Sequence, residues 1–438
     1  MAEKVLVLAT ELAAAVKNGD ADELEKTFTK TFPSVRWHLG NAGVNWPRME
    51  DAAGVKELIS KSAISRLMWG FFTSHHMFMP SRHVSTFLRK AKSFELAWGH
   101  TTELLSMVAS QKTAMINPAM LWQVCDVMVY LVGSAHEASA KYPDVSHFSA
   151  ESTIAFFEKI VKEANVEEIL ASGDAMDVLG GSAETAASFA AGLFAQVSIV
   201  RILVMTANYR AALLAVSTLK ISTCEGVVEE ASSLAAKSFQ FHVGLAYLMS
   251  RRYHDAIECF RQSQGQVELY MAICAYLSGE PVEVTDYRIA EWKDEDFRTE
   301  FKRNAPRFVC APVTEGMEEN AVEESKEMQS RVFLRHVEQR RTASSLRGSF
   351  KLNKALTATK LCTLLKCDPA TPLAPVVAAK MSACQLSRSE ESDDALQGTL
   401  RSHAAVDFLV DGEEVRAHER EMDVVDALMK RIMKLKRK

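Results

Sequence analysis

One stretch of the sequence, Phe239–Gln264, restricts the possible fold more than any other. Its apolar residues recur at helical spacing on both sides of Arg251 and Arg252, which predicts two short antiparallel helices that meet there. Gly244 has no side chain and would let the neighbouring helix approach closely. Four residues would close the pair: Tyr247, Tyr253, Ala256 and Phe260. Because a pair of helices cannot bury its apolar face alone, the stretch predicts a scaffold of stacked helical hairpins.

The spacing within this stretch matches the tetratricopeptide repeat at four positions in one register. The matching residues are Gly244, Tyr247, Ala256 and Phe260, whereas Gln240 and Glu268 replace the tryptophan and the proline of the repeat. An ordinary helical hairpin is the alternative interpretation. A second, weaker copy is predicted upstream, because Tyr209 and Ala212 have the same mutual spacing as Tyr253 and Ala256. A further helix at Val267–Leu277 would continue the stack, so we expect a tetratricopeptide-like array.

The composition supports a mainly α-helical fold with two or three domains. Hydrophobic residues make up 48% and charged residues 24% of the 438 residues, and glycine (19) and proline (11) are sparse. The net charge of −5 disfavours a chain that binds nucleic acid over its whole surface. Eight cysteines without a CxxC pair predict neither a disulfide framework nor a zinc site. A reduced, cytoplasmic location follows.

No membrane or targeting segment is expected. The first helix contains Lys4 and Glu11 within its apolar run, which is typical of an amphipathic helix and not of a signal peptide. The apolar stretch Ala186–Val200 is interrupted by polar residues and closed by Arg201. It is shorter than the about 20 apolar residues that span a bilayer.

Helical patterns continue along the N-terminal third, and prolines mark their expected ends at Pro33 and Pro80. The predicted helices are Ala2–Lys17, Ala21–Thr31, Ala52–Met79, His83–Ser110, Pro118–Ala140 and Ser149–Asn165. The stretch Gly173–Thr185 is predicted to be a loop. It leads into helices at Ala187–Met205 and Tyr209–Leu219, which are joined by a turn at residues 206–208.

The C-terminal part changes character. Residues Asp286–Thr314 are charged and irregular, and Glu315–Arg341 predicts a polar connecting helix. Helices at Lys354–Cys367 and from Thr371 are then followed by a hairpin at residues 405–415 with Asp-Gly at its turn. Two helices and a β-wing indicate a winged helix. The acidic stretch Ser387–Ser402 is expected to be a mobile loop.

The strongest candidate interaction site is the last helix, residues 418–438. Its apolar stripe predicts a contact with partner helices at coiled-coil spacing and consists of Val425, Leu428, Ile432 and Leu435. Its basic residues are candidates for contact with RNA or an acidic partner: Lys430, Arg431, Lys434, Lys436, Arg437 and Lys438. Two alternatives remain open, namely that this helix folds back on its own domain and that the charges are merely solvated.

No arrangement of residues predicts catalysis, a cofactor or a metal. The sequence has no Walker motif, no G-x-S-x-G and no dinucleotide-binding glycine pattern. His75, His76 and His83 lack further ligands, and Cys362 and Cys367 are typical of core thiols. The helix from Thr371 to Leu386 would present mainly Val and Ala, which favours protein contact over base recognition.

Four strings carry a resemblance to a known family: Val243–Phe260, Ala207–Leu219, Ala305–Pro312 and Ala405–Glu419. They resemble the L subunits of eukaryotic translation initiation factor 3, which are proteins of PCI architecture with helical repeats that run into a winged helix. The family insert is nearly absent here at Gln262–Gln266, and the Ser387–Ser402 stretch is unlike the family, which indicates a divergent member.

The resemblance implies a non-catalytic scaffold that acts on the small ribosomal subunit during pre-initiation complex assembly and mRNA recruitment. Its implied partners are other initiation factor 3 subunits, above all subunit K and other PCI subunits, with no membrane and no small-molecule substrate. The expected organisation is an N-terminal helical region (1–170), repeats (171–314), a PCI winged-helix region (315–417) and a bundle helix with basic tail (418–438). A PCI subunit of the proteasome lid or the signalosome, or an independent RNA-binding winged-helix protein, remains an alternative.

Overall fold

The fold is mainly α-helical, with small β-sheets near the C-terminal end, as the composition predicts. The computed structural model describes residues 2–35, 54–78, 91–139, 149–217, 221–263, 267–279, 289–304, 321–366, 373–388, 394–402 and 407–418. The predicted helix at 418–438 and the string at 305–312 therefore lie outside the described residues, except for the first residue of that helix, His418.

The N-terminal helices pack on one another around a cluster of aromatic rings. They are α1 (Ala2–Asn18), α2 (Ala21–Lys26), α3 (Val55–Ser60), α4 (Ala63–Phe78), α5 (Ala91–Ala109) and α6 (Pro118–Ser139). Phe28 and Phe32 contact Phe71 and Phe72 with ring centroids about 5 to 6 Å apart, for example 5.3 Å between Phe28 and Phe71. The helix that starts at Ala21 does not end at Pro33, as predicted, but continues to Val35. A wider π-turn at Thr27–Thr31 precedes the proline, so its ring escapes the carbonyl it would meet in a regular helix.

Three shorter helices lead to the centre of the molecule: α7 (Ala150–Glu163), α8 (Val166–Ser172) and α9 (Ala175–Leu179). The predicted loop Gly173–Thr185 is wrong in part, because α9 lies within it. Gly173 has a φ of 83°, which ends α8, and the hydroxyl of Ser182 accepts the backbone N–H of Thr185 and caps the next helix. A single helical turn between two glycine-containing stretches gives too little periodicity to recognise.

The central helix, α10 (Ala183–Met205), is apolar on all sides and packs against α5, α6 and α7. At 23 residues it is long and apolar enough to cross a membrane, and it is longer than the predicted apolar run. Most of it is buried within the fold, which is typical of a core helix. Its Arg201 pairs with Asp126 of α6 at 2.5 Å and lies 5.0 Å from the ring centroid of Trp122.

Two helical hairpins follow, α10 with α11 (Tyr209–Ser217) and α13 (Ser233–Met249) with α14 (Tyr253–Ser263), separated by α12 (Ile221–Ala231). Their connections have the same geometry. Ala207 and Arg251 take left-handed backbone conformations, with φ of 59° and 62°. The next residue, Asn208 or Arg252, links the two helices of its hairpin through its backbone. Its N–H donates to a carbonyl of the preceding helix, that of Leu203 or Tyr247. Its own carbonyl accepts an N–H of the following helix, that of Ala212 or Ala256. The two turns therefore share one backbone geometry, and the repeat predicted from Tyr209 and Tyr253 stays a prediction.

The second hairpin is closed as the sequence predicts. A Cβ atom on Gly244 would lie 2.7 Å from the ring of Phe260, closer than side chains tolerate, so only glycine allows this approach. Tyr247, Ala256 and Phe260 are fully or almost fully buried. Helix α15 (Glu268–Ser278) packs on α14 and ends at Gly279 in a left-handed conformation.

Two further helices lead to the C-terminal unit, α16 (Asp294–Asn304) and α17 (Ala321–Leu352), with a short 3₁₀ turn at Ile289–Glu291 before α16. Both differ from the predictions. Helix α16 lies in the stretch predicted to be irregular. Its buried Phe301 stacks on Phe333 of α17, with ring centroids 4.4 Å apart, and its buried Phe297 meets the same ring at a tilt. Helix α17 extends beyond Arg341 to Leu352, since Leu346 and Phe350 bury themselves in the next core.

The C-terminal unit has its own core, formed by Leu346, Phe350, Leu356, Leu361, Val376, Phe408 and Val415. Its elements are β1 (Ala355–Thr357), α18 (Ala358–Leu365), α19 (Ala374–Ala383), β2 (Cys384–Ser387), β3 (Thr399–Ser402), β4 (Asp407–Asp411) and β5 (Glu414–His418). An antiparallel sheet has the order β1-β5-β4, and β2 pairs with β3. The predicted hairpin at 405–415 is present as β4 and β5, with Gly412 and Glu413 in the turn.

Three predictions for this unit need correction. The helix predicted from Lys354 begins only at Ala358, because residues 355–357 pair with β5. The helix predicted from Thr371 to Leu386 spans Ala374–Ala383, and its last residues form β2 instead. The stretch Ser387–Ser402, predicted to be a mobile loop, ends in strand β3, which pairs with β2 through residues 384–387.

Candidate interaction surface

A buried ion pair lies where the C-terminal unit meets the second hairpin. Arg252 ends the hairpin turn and Asp255 lies in the first turn of α14, and their side chains are 5% and 6% exposed. The Arg252 Nε donates to Asp255 Oδ2 at 2.6 Å. The same carboxylate accepts the backbone N–H of Arg388, at 2.9 Å, just after β2. Asp255 thus joins the helical array to the end of β2.

Arg252 also holds two residues just before β3, Ala395 and Gln397. The carbonyl of Ala395 accepts from Arg252 Nη1 at 2.5 Å and from the hydroxyl of Tyr247 at 3.2 Å, and the carbonyl of Gln397 accepts from Arg252 Nη2 at 3.0 Å. One guanidinium therefore satisfies a carboxylate and two backbone carbonyls. We call these contacts the anchor, consisting of Tyr247, Arg252 and Asp255 on the hairpin and residues 388 and 395–397 opposite.

A second contact fixes the start of this segment. The Ser217 hydroxyl at the end of α11 donates to Asp394 Oδ1 at 2.7 Å and accepts the N–H of Ala395 at 2.9 Å. The hydrogen bond from Ser217 lowers the pKa of Asp394 below its usual value. A Cβ atom on Gly398 would lie 2.5 Å from the carbonyl of Ser387, so the segment needs glycine to turn into β3. The described residues of the stretch predicted to be mobile, 387–388 and 394–402, are thus tied to both hairpins.

The Tyr247 hydroxyl of the anchor stays protonated near neutral pH. Burial raises the pKa of Tyr247 well above its ordinary value, with smaller opposing effects from Arg252, so its hydroxyl remains a donor. The Arg252 guanidinium lies 4.7 Å from the centroid of the Tyr247 ring, an attractive cation–π contact. The anchor is a structural joint and presents no reactive group to solvent.

The opposite side of the β2–β3 pair is apolar and exposed. Leu386 and Leu400 are directly opposed across the two strands, and Leu400 is 71% exposed. The neighbouring positions of β2, Gln385 and Ser387, are buried instead. This is the reverse of the usual alternation, in which apolar residues face inward and polar residues face water. Contiguous exposed apolar residues mark interaction sites.

Helix α19, which leads directly into β2, also carries exposed apolar residues. Val377 and Met381 lie one turn apart, and Met381 is 70% exposed immediately before β2. We call Val377, Met381, Leu386 and Leu400 the apolar face. Val377 is exposed on this helix and Val376 lies in the core, and the protein contact predicted for the helix stays a prediction. The one basic residue of α19, Lys380, donates to the carbonyl of Phe408 and contacts its ring, so its ammonium is used within the fold.

The other predicted site residues divide as follows. The stripe Val425, Leu428, Ile432 and Leu435 and the six basic residues of the tail lie outside the described residues, and so do His83 and Cys367. Cys362 is buried, as predicted for a core thiol. Within the described residues no group of His, Cys, Asp and Glu side chains could hold a metal ion.

Sequence reasoning missed the anchor. Arg252 and Asp255 have the spacing of an ordinary surface pair on a first helical turn, as the exposed pair Glu258 and Arg261 does in the same helix. What distinguishes them is contact with residues more than 130 positions away, which no local pattern encodes.

Comparison with known proteins places the chain in a family. The sequence model of the family described as RNA polymerase I-associated factor PAF67 matches residues 121–272 and 282–435, which is more than half of the chain. The chain belongs to this family. The match includes both hairpins, the anchor and the apolar face.

Its curated relatives are named eukaryotic translation initiation factor 3 subunit L. The chain is 21% identical to the protein of Drosophila grimshawi over 506 aligned residues, covering 99% of this chain and 91% of the relative, and equally to that of Drosophila virilis. It is 20% identical to the Drosophila melanogaster protein, with 95% and 87% covered. The chain is thus a divergent member of the group that the sequence strings indicated.

Proposed function

We propose that the chain is a non-catalytic scaffold subunit of the eukaryotic translation initiation factor 3 complex, acting on the small ribosomal subunit in pre-initiation complex assembly and mRNA recruitment. The observation that carries this proposal is the similarity, over nearly the whole chain, to relatives named as subunit L of that factor. A fold of stacked helices with an uncovered apolar face fits a protein that works by contact. The proposed location is the cytoplasm.

The proposed architecture has a tetratricopeptide-like array (171–314) between an N-terminal helical region (1–170) and a PCI winged-helix region (315–417). The shared geometry of the turns at Ala207 and Arg251 supports the repeat assignment. The sheet β1-β5-β4 beside α18 and α19 supports the winged helix. In this arrangement the anchor sets the angle between array and winged helix.

The proposed partners are other subunits of the factor, above all subunit K and other PCI subunits. The last helix (418–438) would join a bundle with their terminal helices through the stripe Val425, Leu428, Ile432 and Leu435. The basic tail would contact ribosomal RNA or an acidic partner surface, because clustered Lys and Arg favour anionic ligands.

Truncation after Ala417 tests this proposal. The shortened chain should keep the folded array but no longer co-purify with initiation factor 3 subunits from cells, whereas the full chain should. Within the helix, Leu428→Asp with Ile432→Asp should have the same effect, and Asp426→Ala, at a polar position, should not. Unchanged co-purification of the truncated chain would contradict the bundle role.

Mass spectrometry of a tagged full-length chain tests the complex itself. We expect initiation factor 3 subunits and small-subunit ribosomal proteins. Proteasomal subunits or cullins in their place would identify the chain as a PCI subunit of the lid or the signalosome. Tight, strongly salt-dependent RNA binding by the isolated chain would instead favour an independent RNA-binding protein.

A further inference from the structure

The two hydrophobic cores of the molecule lie on opposite sides of helix α17. Phe333 and Val337 are buried in the first core, and Leu346 and Phe350 are buried in the second. Successive side chains of an α-helix point about 100° apart, so the step from Val337 to Leu346 corresponds to about two and a half turns. In its N-terminal half, the side of α17 that later packs in the second core is therefore turned away from the first core.

That side continues toward the start of α17 at coiled-coil spacing. Alternate steps of four and three residues back from the buried Leu346 define what we call the outer stripe: Thr342, Gln339, Arg335, Val332 and Met328. Met328 is 63% exposed and Val332 is 37% exposed. The second core thus covers the C-terminal end of this side of the helix, whereas its N-terminal end presents apolar side chains to solvent.

Helix α17 is also strongly basic over most of its length. Residues 328–351 contain six Lys or Arg residues and one acidic residue, Glu338. Two of the arginines are used within the fold, because Arg340 and Arg341 donate to backbone carbonyls of neighbouring elements at 2.9 and 2.7 Å. The arginines near the outer stripe have no such role.

These two arginines, Arg331 and Arg335, are exposed and lie one helical turn apart. Among the described residues neither guanidinium forms an ion pair, and Glu327, on the preceding turn, lies 3.6 Å from Arg298 of α16 instead. Residues at this spacing have Cβ atoms about 5 to 6 Å apart on one side of a helix. Two guanidinium groups placed in this way favour a carboxylate between them.

The apolar residues distinguish between two classes of partner. Guanidinium groups bind carboxylates and phosphates alike. RNA, however, covers apolar protein surface mainly by stacking its bases on aromatic rings, and the outer stripe contains no aromatic residue. An amphipathic helix provides both kinds of contact, because its apolar residues pack on Met328 and Val332 while flanking Asp or Glu residues meet the arginines. Exposed methionine is typical of such helix-binding surfaces.

We propose that the outer stripe, together with Arg331, is the docking site for an acidic amphipathic helix of a partner protein. The helix lies along α17 from Met328 to Thr342, a length of about 20 Å or four turns. Its apolar residues cover Met328 and Val332, and its carboxylates bind Arg331 and Arg335. The site is separate from the terminal helix and goes beyond the proposed function.

A photo-cross-linking amino acid in place of Val332 identifies the occupant. In the full chain, expressed in the cells from which it comes, p-benzoylphenylalanine at this position should link to a protein segment with apolar residues at helical spacing and more Asp and Glu than Lys and Arg. The control position is Leu96, exposed on α5, and the yield at position 332 should be at least about fivefold higher. A yield no higher than at Leu96, or predominant linkage to RNA, to a basic segment or to the chain itself, would overturn the proposal.

Charge reversal tests the role of the arginines. Arg331→Glu with Arg335→Glu should lower the cross-linking yield at position 332 at least about tenfold, because attraction to the acidic helix becomes repulsion. Arg347→Glu with Lys360→Glu, both exposed away from the outer stripe, changes the net charge equally and should leave the yield within about twofold.

Both double variants replace exposed side chains, so the midpoint of thermal unfolding should stay the same and exclude loss of the fold as the cause. An unchanged yield in the Arg331 and Arg335 variant would refute the recognition of an acidic partner. These readouts concern the chemistry of the bound segment and not the complex that supplies it. Their failure is therefore distinguishable from failure of the proposed function.

Discussion

At the scale of single residues, one guanidinium, that of Arg252, makes several of the hydrogen bonds that hold the residues before β3 on the second hairpin. Arg252 is 4% exposed and bonds Asp255, Ala395 and Gln397. Charges removed from water are stabilising only when their hydrogen-bonding groups are satisfied, and here Asp255 also accepts from the backbone of Arg388. Loss of either side chain would leave the other buried without its opposite charge, although its hydrogen bonds to the backbone remain.

Arg252→Ala should therefore lower the free energy of unfolding by about 3–5 kcal/mol, since it leaves the Asp255 carboxylate buried with a backbone partner alone. Arg261→Ala removes the exposed partner of Glu258 in the same helix and should cost at most about 1 kcal/mol. Urea unfolding monitored by circular dichroism measures both. In addition, amide exchange at residues 395–402 should rise in the first variant only; equal effects of the two substitutions would contradict the role of the anchor.

Two buried histidines make stability depend on pH. Burial, with a smaller effect of Arg251, lowers the pKa of His336 to about 4, and burial with Arg201 lowers that of His242 to about 3. In the unfolded chain both titrate near about 6.5. The unfolded state therefore binds more protons below that pH, and stability falls as the pH decreases from about 6.5 toward 4.

We expect a loss of up to about 2 kcal/mol per histidine between pH 6.5 and 5. The urea midpoint at pH 7.5 and pH 5.0 measures it. His336→Gln should reduce the difference in stability between the two pH values by the contribution of one histidine, up to about 2 kcal/mol. An undiminished difference in the His336 variant would show that another group is responsible.

At the scale of elements, the two hairpins are built on one connection. Ala207 and Arg251 hold the left-handed position although neither is glycine, a conformation that costs roughly 1 kcal/mol for residues with a side chain. The hydrogen bonds of Asn208 and Arg252 to both flanking helices hold this geometry in place. The turn determines the angle between the two helices of each hairpin. In the second hairpin, Gly244 allows the close approach of α13 and α14.

Gly244→Ala should destabilise the chain by about 1–3 kcal/mol, because the added methyl group lies 2.7 Å from the Phe260 ring and overpacks the hairpin. Gly226→Ala, in α12, meets no atom within 4 Å and should stabilise by about 0.5–1 kcal/mol through helix propensity. Thermal unfolding distinguishes the two signs. Combining Gly244→Ala with Phe260→Leu should recover part of the loss, and failure to do so would place the strain elsewhere.

Elements whose apolar residues recur at a regular spacing could be predicted from the sequence. Elements that form only through contact with residues far away in the sequence could not. The α13–α14 hairpin and its close contact at Gly244 follow from local spacing. Strand β1 is three residues long and pairs with β5 some sixty positions later, so its sequence alone resembles the start of a helix. The segment around Ala395 is polar and acidic, which is typical of a loop, and the residues that hold it, Arg252, Tyr247 and Ser217, are distant in the sequence.

At the scale of the whole molecule, two hydrophobic cores are joined in two ways. Helix α17 passes from the first core, where Phe333 and Val337 are buried, into the second, where Leu346 and Phe350 are buried. The anchor forms the second tie through the β2–β3 segment. These two connections, helix α17 and the anchor, lie at different places. Together they fix the orientation of the second core relative to the first, whereas helix α17 alone could bend.

We expect either connection, helix α17 or the anchor, to be sufficient to keep the two cores together. Inserting two glycines after Thr342 interrupts α17 between the cores, and Arg252→Ala opens the anchor. Each change alone should leave the radius of gyration close to that of the unchanged chain, because the remaining tie keeps the units near each other. The combination should enlarge it measurably in small-angle X-ray scattering. Enlargement by the insertion alone would show that the anchor does not hold the unit.

Helix α10 has a consequence during synthesis. Its apolar residues, 183–205, leave the ribosome before α13, which packs against them, has been made. At about 5–20 residues per second, several seconds pass between Met205 and Met249. For that interval the earlier helices α5, α6 and α7 can cover their side of α10, whereas the side that α13 will cover stays exposed to solvent.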